Sequence, residues 1–283
     1  MPGSRLTVLD TVMPIYDNSN FKIAANHDVT SEWHYFSVCG FLADGTLTAF
    51  IQSPPSYGIT SSFREYQTEK WVWDQYSKSP EVCLSRDLQN AYFHTDPVFM
   101  SMGTAGVRGT KGFTEGEHYW EVIFLEPPSG TSVMVGVGTE KALLHLGNFN
   151  FVDLIGLDTE SWGLSYKGDI WHNGRKQQYC EAFFQEATVI GCHLNFYNGT
   201  LTFYKNGENL GVAFTGLDKV KVPLFPTISS TACDTELGLG LQFCRYLTLQ
   251  EKCLQTIKRT LDYDDSIDCL PLPKVLKASL KEL

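Results

Sequence analysis

Short apolar runs, each bounded by turn-forming residues, recur along residues 66–244. Runs joined by Gly, Asn and Asp, without long helical stretches between them, predict antiparallel sheets packed face to face. Asn198-Gly199 and Asn206-Gly207 predict tight hairpins, because an Asn-Gly pair permits the positive φ that a type I′ turn requires at both central residues. The predicted fold class is mainly β, an antiparallel β-sandwich, and its clearest strands are 119–124, 132–138, 161–166 and 188–196.

Four tryptophans lie within these apolar runs. Trp71 and Trp73 are two residues apart, so they share one face of a strand, and that face is expected to be buried. Trp120 and Trp162 are flanked by apolar residues and are also expected in the core.

The pattern changes at Thr248, where apolar residues begin to recur at helical spacing. Thr248 and Glu251 have the T-x-x-E spacing of a capping box, which predicts where the helix begins. A second amphipathic helix is predicted over 274–283. Helices this short cannot bury their own apolar stripes, so the tail must pack on the β domain or on another protein. The apolar positions are Leu249, Cys253 and Ile257 on one face, Leu254 and Leu261 beside it, and Val275, Leu276, Ala278 and Leu280 in the second helix.

The first 65 residues carry fewer signals. Residues 1–32 are polar without sustained periodicity, which predicts a loose tail. Two apolar runs over 35–51 flank Asp44-Gly45, which predicts a hairpin. That hairpin is compatible with a decoration on the main domain and equally with an ordered flap over its binding face.

Composition narrows the classes of partner. The chain has 32 acidic and 22 basic residues and a net charge of −10, which disfavours nucleic acid and anionic membrane as ligands. The eight cysteines show no CxxC spacing, and neither a secretory signal nor a membrane-length apolar run is evident. We therefore expect reduced thiols in the cytoplasm, the nucleus or both.

Catalytic motifs are missing from the sequence. No histidine pair has H-x-x-x-H or H-E-x-x-H spacing, and neither a G-x-S-x-G elbow nor a phosphate-binding glycine loop occurs. The sequence therefore predicts a protein that is not an enzyme and has no cofactor and no metal. An intracellular hydrolase on a β-sandwich stays a weak alternative that a tightly bound metal would revive.

Two motifs at the end of the chain resemble the SOCS box. Thr248-Leu249-x-x-x-Cys253-x-x-x-Ile257 resembles the BC box, by which SOCS-box proteins bind elongin C. Leu270-Pro271-Leu272-Pro273 resembles the cullin box in its cullin-5-selecting form, and the two prolines are expected to hold it extended with both leucines presented outward. The resemblance implies elongin-binding residues Thr248, Leu249, Cys253 and Ile257, and cullin-binding residues Leu270, Pro271, Leu272 and Pro273.

The central region resembles a SPRY domain, also called B30.2. Its signatures recur in order along the chain: Gly116-Glu117-His118-Tyr119-Trp120-Glu121-Val122, Ser161-Trp162-Gly163-Leu164, Gly199–Gly207, Leu210–Phe214 and Pro223-Leu224-Phe225-Pro226. Together with the tail, these motifs resemble the SPRY domain and SOCS-box protein family, most like a divergent member. The implied domains are an N-terminal extension at 1–65, a SPRY-like sandwich at 66–244 and a SOCS box at 245–283.

In that family, loops at one end of the sandwich bind a short, Asn-rich acidic peptide of a target. Pro97 falls where better-known members have an arginine, and Phe151 replaces a tyrosine, so a preference for an acidic ligand is doubtful here. Thr231-Ala232-Cys233 replaces Val-Trp-Gly. The implied target-peptide positions are Phe99, Ser101, Gly130, Thr131, Phe151, Leu154, Leu157, Thr231, Ala232 and Cys233.

The resemblance implies a non-catalytic adaptor. Its SPRY domain would capture a target, and its SOCS box would recruit elongin B/C, cullin-5 and a RING subunit for ubiquitination and proteasomal degradation of that target. The alternative is a SPRY-type interaction module whose tail packs on the sandwich and recruits no ligase.

Overall fold

The computed structural model describes residues 35–41, 47–52, 66–95, 100–185, 187–261 and 264–282. The predicted loose tail at 1–32 lies outside this part of the chain. The predicted N-terminal hairpin is present, because strands β1 (Tyr35–Phe41) and β2 (Leu47–Gln52) pair antiparallel.

The predicted antiparallel β-sandwich is confirmed, and it consists of two eight-stranded sheets. In the first sheet the order is β10-β7-β17-β9-β11-β12-β13, and β4 also pairs with β7; these strands are β4 Trp73–Lys78, β7 Thr104–Gly109, β9 Val133–Gly138, β10 His145–Leu146, β11 Ser161–Ser165, β12 Asp169–His172, β13 Arg175–Gln178 and β17 Phe225–Ser230. In the second sheet the order is β16-β15-β14-β8-β18-β6-β5, and β3 also pairs with β18; these strands are β3 Gln67–Thr68, β5 Val82–Leu84, β6 Asn90–Phe93, β8 Glu117–Phe124, β14 Thr188–Asn195, β15 Thr200–Lys205, β16 Glu208–Phe214 and β18 Thr235–Arg245.

Large apolar side chains fill the core of the sandwich. The predicted burial of the tryptophans is confirmed, since Trp71, Trp73, Trp120 and Trp162 are all at most 8% exposed. Trp71 makes edge contacts with both Trp73 and Trp120, with ring centroids 5.6 and 6.2 Å apart. Such aromatic pairs add specific geometry to the burial of apolar area. The predicted strand containing both Trp71 and Trp73 is only partly formed, because β4 begins at Trp73.

The two Asn-Gly predictions have different outcomes. Asn206 and Gly207 both have positive φ, 51° and 83°, as a two-residue hairpin requires. The hairpin predicted at Asn198-Gly199 is present, because β14 and β15 pair antiparallel across it. Its two-residue turn is wrong, because the turn spans 196–199 and only Gly199 in it has positive φ. The Asn195 carboxamide oxygen accepts hydrogen bonds from the backbone N–H groups of Tyr197 and Asn198, and this side-chain turn replaces the tighter one.

A buried carboxyl group lies within the second sheet. Glu121 is 3% exposed, accepts a hydrogen bond from the Tyr119 hydroxyl at 2.9 Å, and accepts another from the Leu241 N–H at 3.3 Å. Burial raises the pKa of Glu121 from 4.5 to about 7, against the opposing effect of these two hydrogen bonds.

Replacing Glu121 by Gln is therefore expected to change how stability depends on pH. Because the folded-state pKa of Glu121 exceeds its unfolded-state value, the folded protein binds this proton more tightly, and stability falls as pH rises from 4.5 to 7. The loss is on the order of 3 kcal/mol at about 1.4 kcal/mol per pKa unit. Urea unfolding between pH 5 and 8 should show a flatter profile for Glu121→Gln. A steep profile in Glu121→Gln would contradict this, and the exposed-site variant Glu126→Gln serves as control.

The tail forms two helices joined by a 3-10 segment. Helix α1 spans Leu249–Arg259, the 3-10 segment spans Asp264–Cys269, and α2 spans Lys274–Glu282. The predicted capping box is confirmed: the Thr248 hydroxyl accepts from the Glu251 N–H at 3.2 Å, and the Glu251 carboxylate accepts from the Thr248 N–H at 2.8 Å. No helix in the described ranges is long and apolar enough to cross a bilayer.

Candidate functional site

Strand register brings several loops together at one end of the sandwich. Phe124 ends β8 opposite Leu237, near the start of β18, and Val133 begins β9 opposite Ser230, the last residue of β17. Loops 125–132, 166–168 and 231–234 and the segment 100–103 therefore meet at the same end, which we call the loop end. Most of the predicted target-peptide positions lie here.

Thr231 and Ala232 form the buried part of the loop end, directly beneath the exposed Gly130. The Thr231 hydroxyl accepts a hydrogen bond from the Ser132 N–H at 2.9 Å, and the Tyr166 hydroxyl donates to the Gly130 carbonyl at 2.7 Å. Gly130 has φ +74°, and a Cβ there would lie 2.9 Å from the Cβ of Ala232. The small Ala232 and the glycine thus allow close packing of two loops, with Thr231 and Ala232 buried beneath the surface.

The exposed part of the loop end is formed by different residues. Gly130, Thr131 and Phe151 are exposed, whereas Cys233 and Ser101 are half-buried. The Lys167 ammonium donates to the Thr131 carbonyl at 2.5 Å, which places a positive charge beside the predicted peptide positions. Thr131 is therefore accessible to a bound peptide, although its carbonyl already accepts from Lys167.

Two predicted positions lie elsewhere, and one is not described. Leu154 is only 2% exposed, so it is buried and not accessible to a ligand. Leu157 is 37% exposed but lies by the turn between β12 and β13, since the Gly174 N–H donates to the adjacent Gly156 carbonyl at 2.9 Å. That turn is at the other end of β11 from Lys167. Phe99 lies outside the described residues, as does Pro97.

His94 links the loops beneath the exposed surface. It is 1% exposed, and its Nε2 lies 3.3 Å from the Ser101 hydroxyl and 3.4 Å from the Ser230 carbonyl oxygen. Burial lowers the pKa of His94, which keeps the ring neutral near pH 7. The neutral imidazole therefore connects the end of β6 to the end of β17.

An apolar rim contains the predicted Phe151 and three residues that sequence reasoning missed, Met100, Met102 and Phe149. Met100, Met102, Phe149 and Phe151 are 61%, 48%, 59% and 37% exposed, and the two phenylalanine rings lie 6.5 Å apart. Phe149 has φ +59°, a conformation that bulky residues rarely adopt, and its N–H donates to the Met102 carbonyl at 2.7 Å. The strained backbone holds an aromatic ring in solvent, which is typical of contact sites. Asn148-Phe149-Asn150-Phe151 offered the only local signal, alternating polar and aromatic residues.

Helix α1 of the tail has one covered face and one uncovered face. Leu249 is 79% exposed and Cys253 is also exposed, whereas Leu254 is 5% exposed. Leu254, Ile267 and Leu280 form a separate small core, which we call the tail core; the partly buried residues around it are Ile257, Leu261, Leu270, Leu272 and Leu276. Two predicted elongin-binding side chains are thus uncovered, and Ile257 lies at the border between the faces.

The predicted extended conformation of 270–273 is wrong. The Leu272 N–H donates to the Leu270 carbonyl at 2.8 Å, which closes a three-residue turn around Pro271. Leu270 and Leu272 pack against the tail core, while Pro271 and Pro273 are exposed. Burial of the leucines outweighs the extended preference of a Leu-Pro repeat, so the prolines form the outer surface of this segment.

The tail is attached at the end of the sandwich opposite the loop end. Arg245, the last residue of β18, pairs with Glu117, the first residue of β8, whereas the loop end adjoins Phe124 at the other end of β8. An eight-residue strand is roughly 23 Å long at ~3.3 Å per residue step. Two candidate binding surfaces are therefore separated by the length of the sandwich.

The fold agrees with the comparisons with known proteins. Residues 117–242 match the SPRY domain. The chain is 42% identical over 211 residues to SPRY domain-containing SOCS box protein 3 of Xenopus tropicalis, an alignment that covers 74% of this chain and 57% of the frog protein. It is 31% identical over 227 residues to SPRY domain-containing SOCS box protein 1 of Mus musculus, covering 74% of this chain and 79% of the mouse protein.

These features define a SPRY-type β-sandwich with an appended helical tail. The chain belongs to the SPRY domain-containing SOCS box protein family. The match spans a little over half the length of the frog relative. Among the described residues, no group of three or more His, Cys, Asp or Glu side chains is placed to hold a metal ion.

Proposed function

We propose that this chain is a non-catalytic substrate-recognition adaptor of a cullin-5–RING ubiquitin ligase. The loop end captures a target protein through a short peptide, α1 binds elongin B/C, and the segment 270–273 contributes to cullin selection. The names of the relatives, which join a SPRY domain to a SOCS box, support this order of modules.

The exposure of Leu249 and Cys253 is the observation that carries the proposal. A leucine that is 79% exposed costs free energy in water, and a second apolar side chain one turn away enlarges the same patch. The tail core does not use either residue, because Leu254 provides the inward contact. An apolar stripe on a helix that is already folded is suited to binding in a groove of another protein.

The alternative interaction module requires the tail to cover this stripe on the sandwich. The tail does contact the sandwich, through Arg245 with Glu251 and through Arg259 with Tyr197, but these contacts are polar. They leave Leu249 and Cys253 uncovered. The distribution of apolar exposure therefore favours the adaptor over the self-contained module.

In this proposal the adaptor promotes ubiquitin transfer by bringing the target close to the ligase. An adaptor that holds the target at one end and the ligase at the other raises the local concentration of target lysines near the charged ubiquitin enzyme. The test is direct: purified chain mixed with elongin B/C should elute as one complex in size-exclusion chromatography. Separate elution at micromolar concentrations would contradict the proposal.

At the loop end, Thr131→Ala and Phe151→Ala are each expected to weaken target capture by about 1–3 kcal/mol, roughly 5–150-fold, while elongin B/C binding is unchanged. Both residues are exposed there, about the length of the sandwich from α1. Quantitative mass spectrometry of proteins retained when ubiquitination is blocked gives the measurement. Tyr76→Ala, which removes an 86% exposed aromatic ring from β4, is the control. Equal target recovery with all three variants would contradict the assignment of the loop end.

A further inference from the structure

The connection between the sandwich and α1 is short and anchored. Only Tyr246, Leu247 and Thr248 separate β18 from α1. Leu247 is 8% exposed, and its N–H donates to the Tyr197 hydroxyl at 2.8 Å. A three-residue link with a buried middle residue limits how far α1 can move from the sandwich. The link alone does not fix the angle between α1 and β18.

Arg245 supplies a stronger constraint by joining two carboxylates from different modules. Its side chain is 5% exposed, and Nη1 donates to Glu117 Oε1 of β8 at 3.0 Å. Its Nη2 forms an ion pair with Glu251 in the first turn of α1. The planar guanidinium, with several donors in fixed directions, is suited to holding two carboxylates at once.

Glu251 combines this ion pair with the helix cap. One carboxylate oxygen pairs with Arg245, and the other accepts from the Thr248 N–H at 2.8 Å. The same side chain therefore determines where α1 begins and ties that point to the sandwich. Burial alone would raise the pKa of Glu117, but His193 and Arg245 hold it below its ordinary value, so the Glu117 carboxylate is ionised near pH 7 and pairs with Arg245.

The far end of α1 is held as well. Arg259 Nη2 donates to the Tyr197 carbonyl at 3.0 Å, so Tyr197 is contacted both by the link and by the last turn of the helix. Because α1 is fixed at its two ends, the direction in which Leu249 and Cys253 face is fixed relative to β8, and thereby to the loop end.

We infer that Arg245 is a positioning residue that sets the orientation of the ligase-binding helix relative to the target-binding end. The functional meaning of this inference rests on the proposed adaptor role. An adaptor with a fixed angle between its two surfaces directs ubiquitin transfer to a restricted zone of the bound target. A hinged adaptor would spread transfer over a wider zone. Losing the Arg245–Glu251 pair releases the first turn of α1 without touching Leu249, Cys253 or the loop end. The Arg259–Tyr197 hydrogen bond and the more exposed Lys252–Glu115 ion pair remain, so the helix is expected to pivot rather than detach.

The test uses Glu251→Ala, which removes the helix-side carboxylate. Its matched control is Thr248→Ala, which loses the hydroxyl of the same capping box and keeps the Arg245–Glu251 pair. Arg245→Lys is the second variant, because one ammonium keeps a charge beside buried Glu117 but lacks the fork that reaches both carboxylates. If Glu251→Ala and Arg245→Lys have the same effect, that effect comes from losing the Arg245–Glu251 ion pair, because Arg245→Lys leaves the capping box of α1 intact.

The first readout is a distance between the modules in the full chain, free and with elongin B/C. Spin labels on non-canonical residues replace Gln185, near the loop end, and Lys274, in α2; both positions are exposed. The parent and Thr248→Ala should give one narrow distance distribution. Glu251→Ala and Arg245→Lys should give a distribution at least twice as wide, while elongin B/C affinity changes less than threefold. Equal widths in all four proteins would overturn the inference, as would equal broadening by Thr248→Ala.

The second readout is the set of lysines modified when the reconstituted ligase ubiquitinates the adaptor itself. Glu251→Ala should shift the share of modification at individual lysines by at least threefold, whereas Thr248→Ala should retain the parent pattern. An unchanged pattern in Glu251→Ala would overturn the role in directing transfer. If the parent fails to bind elongin B/C, the proposed function is wrong, and the distance measurement on the free chain still decides whether Arg245 fixes the helix.

Discussion

Leu249→Asp combined with Cys253→Lys is expected to abolish elongin B/C binding and leave the sandwich folded. Leu249 is 79% exposed and Cys253 is exposed, so neither charge disturbs an internal contact of the lone chain. In a complex, both charges would be buried against an apolar groove, at a cost of about 3 kcal/mol or more, a loss of at least ~100-fold in affinity. Calorimetric titration with elongin B/C measures the loss, and thermal unfolding of the sandwich should be unchanged.

The control for this double variant introduces the same two charges at an exposed aliphatic residue and an exposed cysteine outside the tail. Val222→Asp with Cys83→Lys changes an exposed aliphatic residue and an exposed cysteine, both on the sandwich. Elongin B/C binding should persist at the parent affinity in this control. Parent-like affinity in the Leu249→Asp, Cys253→Lys protein would show that α1 is not the elongin-binding element.

Leu254→Ala is expected to unfold the tail while the sandwich stays intact. Leu254 is 5% exposed in the tail core, which contains only two other fully buried side chains, Ile267 and Leu280. Truncating a buried leucine to alanine costs about 2–5 kcal/mol, and a core of this size has little stability in reserve. Hydrogen exchange over 249–280 should rise to nearly unprotected rates, with protection in β8 and β18 retained.

Leu249→Ala provides the matched comparison on the same helix. It removes the same side chain from a position that is 79% exposed, so tail protection should stay within about 0.5 kcal/mol of the parent. Equal loss of protection in Leu249→Ala and Leu254→Ala would contradict the division of α1 into a covered and an uncovered face.

Local sequence signals predicted the elements well where the physical cause was itself local. Trp71 and Trp73 indicated a shared buried face because side chains alternate in extended chain, although the strand itself begins only at Trp73. Thr248 with Glu251 indicated the start of α1 because a cap involves only one turn. Asn206-Gly207 predicted its own turn for the same reason. Asn198-Gly199 predicted its hairpin but not the turn type, since the Asn195 side chain accepts two backbone N–H groups and stabilises a longer turn.

Site prediction depended on contacts between distant segments and was less complete. The resemblance pointed to loops around Thr131 and Phe151, but the rim formed by Met100, Met102 and Phe149 depends on a backbone hydrogen bond between segments 47 residues apart. Leu157 is six residues from Phe151, yet the chain between them carries it toward the other end of the first sheet. The short separation of Phe151 and Leu157 in the sequence therefore does not show that their side chains lie at different ends of the sheet.

By itself, the sequence determined the main strands, the two tail helices and the helix cap, and its motifs indicated the SPRY domain-containing SOCS box protein family. Those features arise from side-chain periodicity and from short-range hydrogen bonds, which depend on neighbouring residues. Only the tertiary structure decided which face of α1 is covered, that the leucines of 270–273 point inward, and that the two candidate surfaces lie at opposite ends of β8. Each of these features depends on apolar burial or charge pairing between residues far apart in the chain. Such residues meet only when the whole fold is formed.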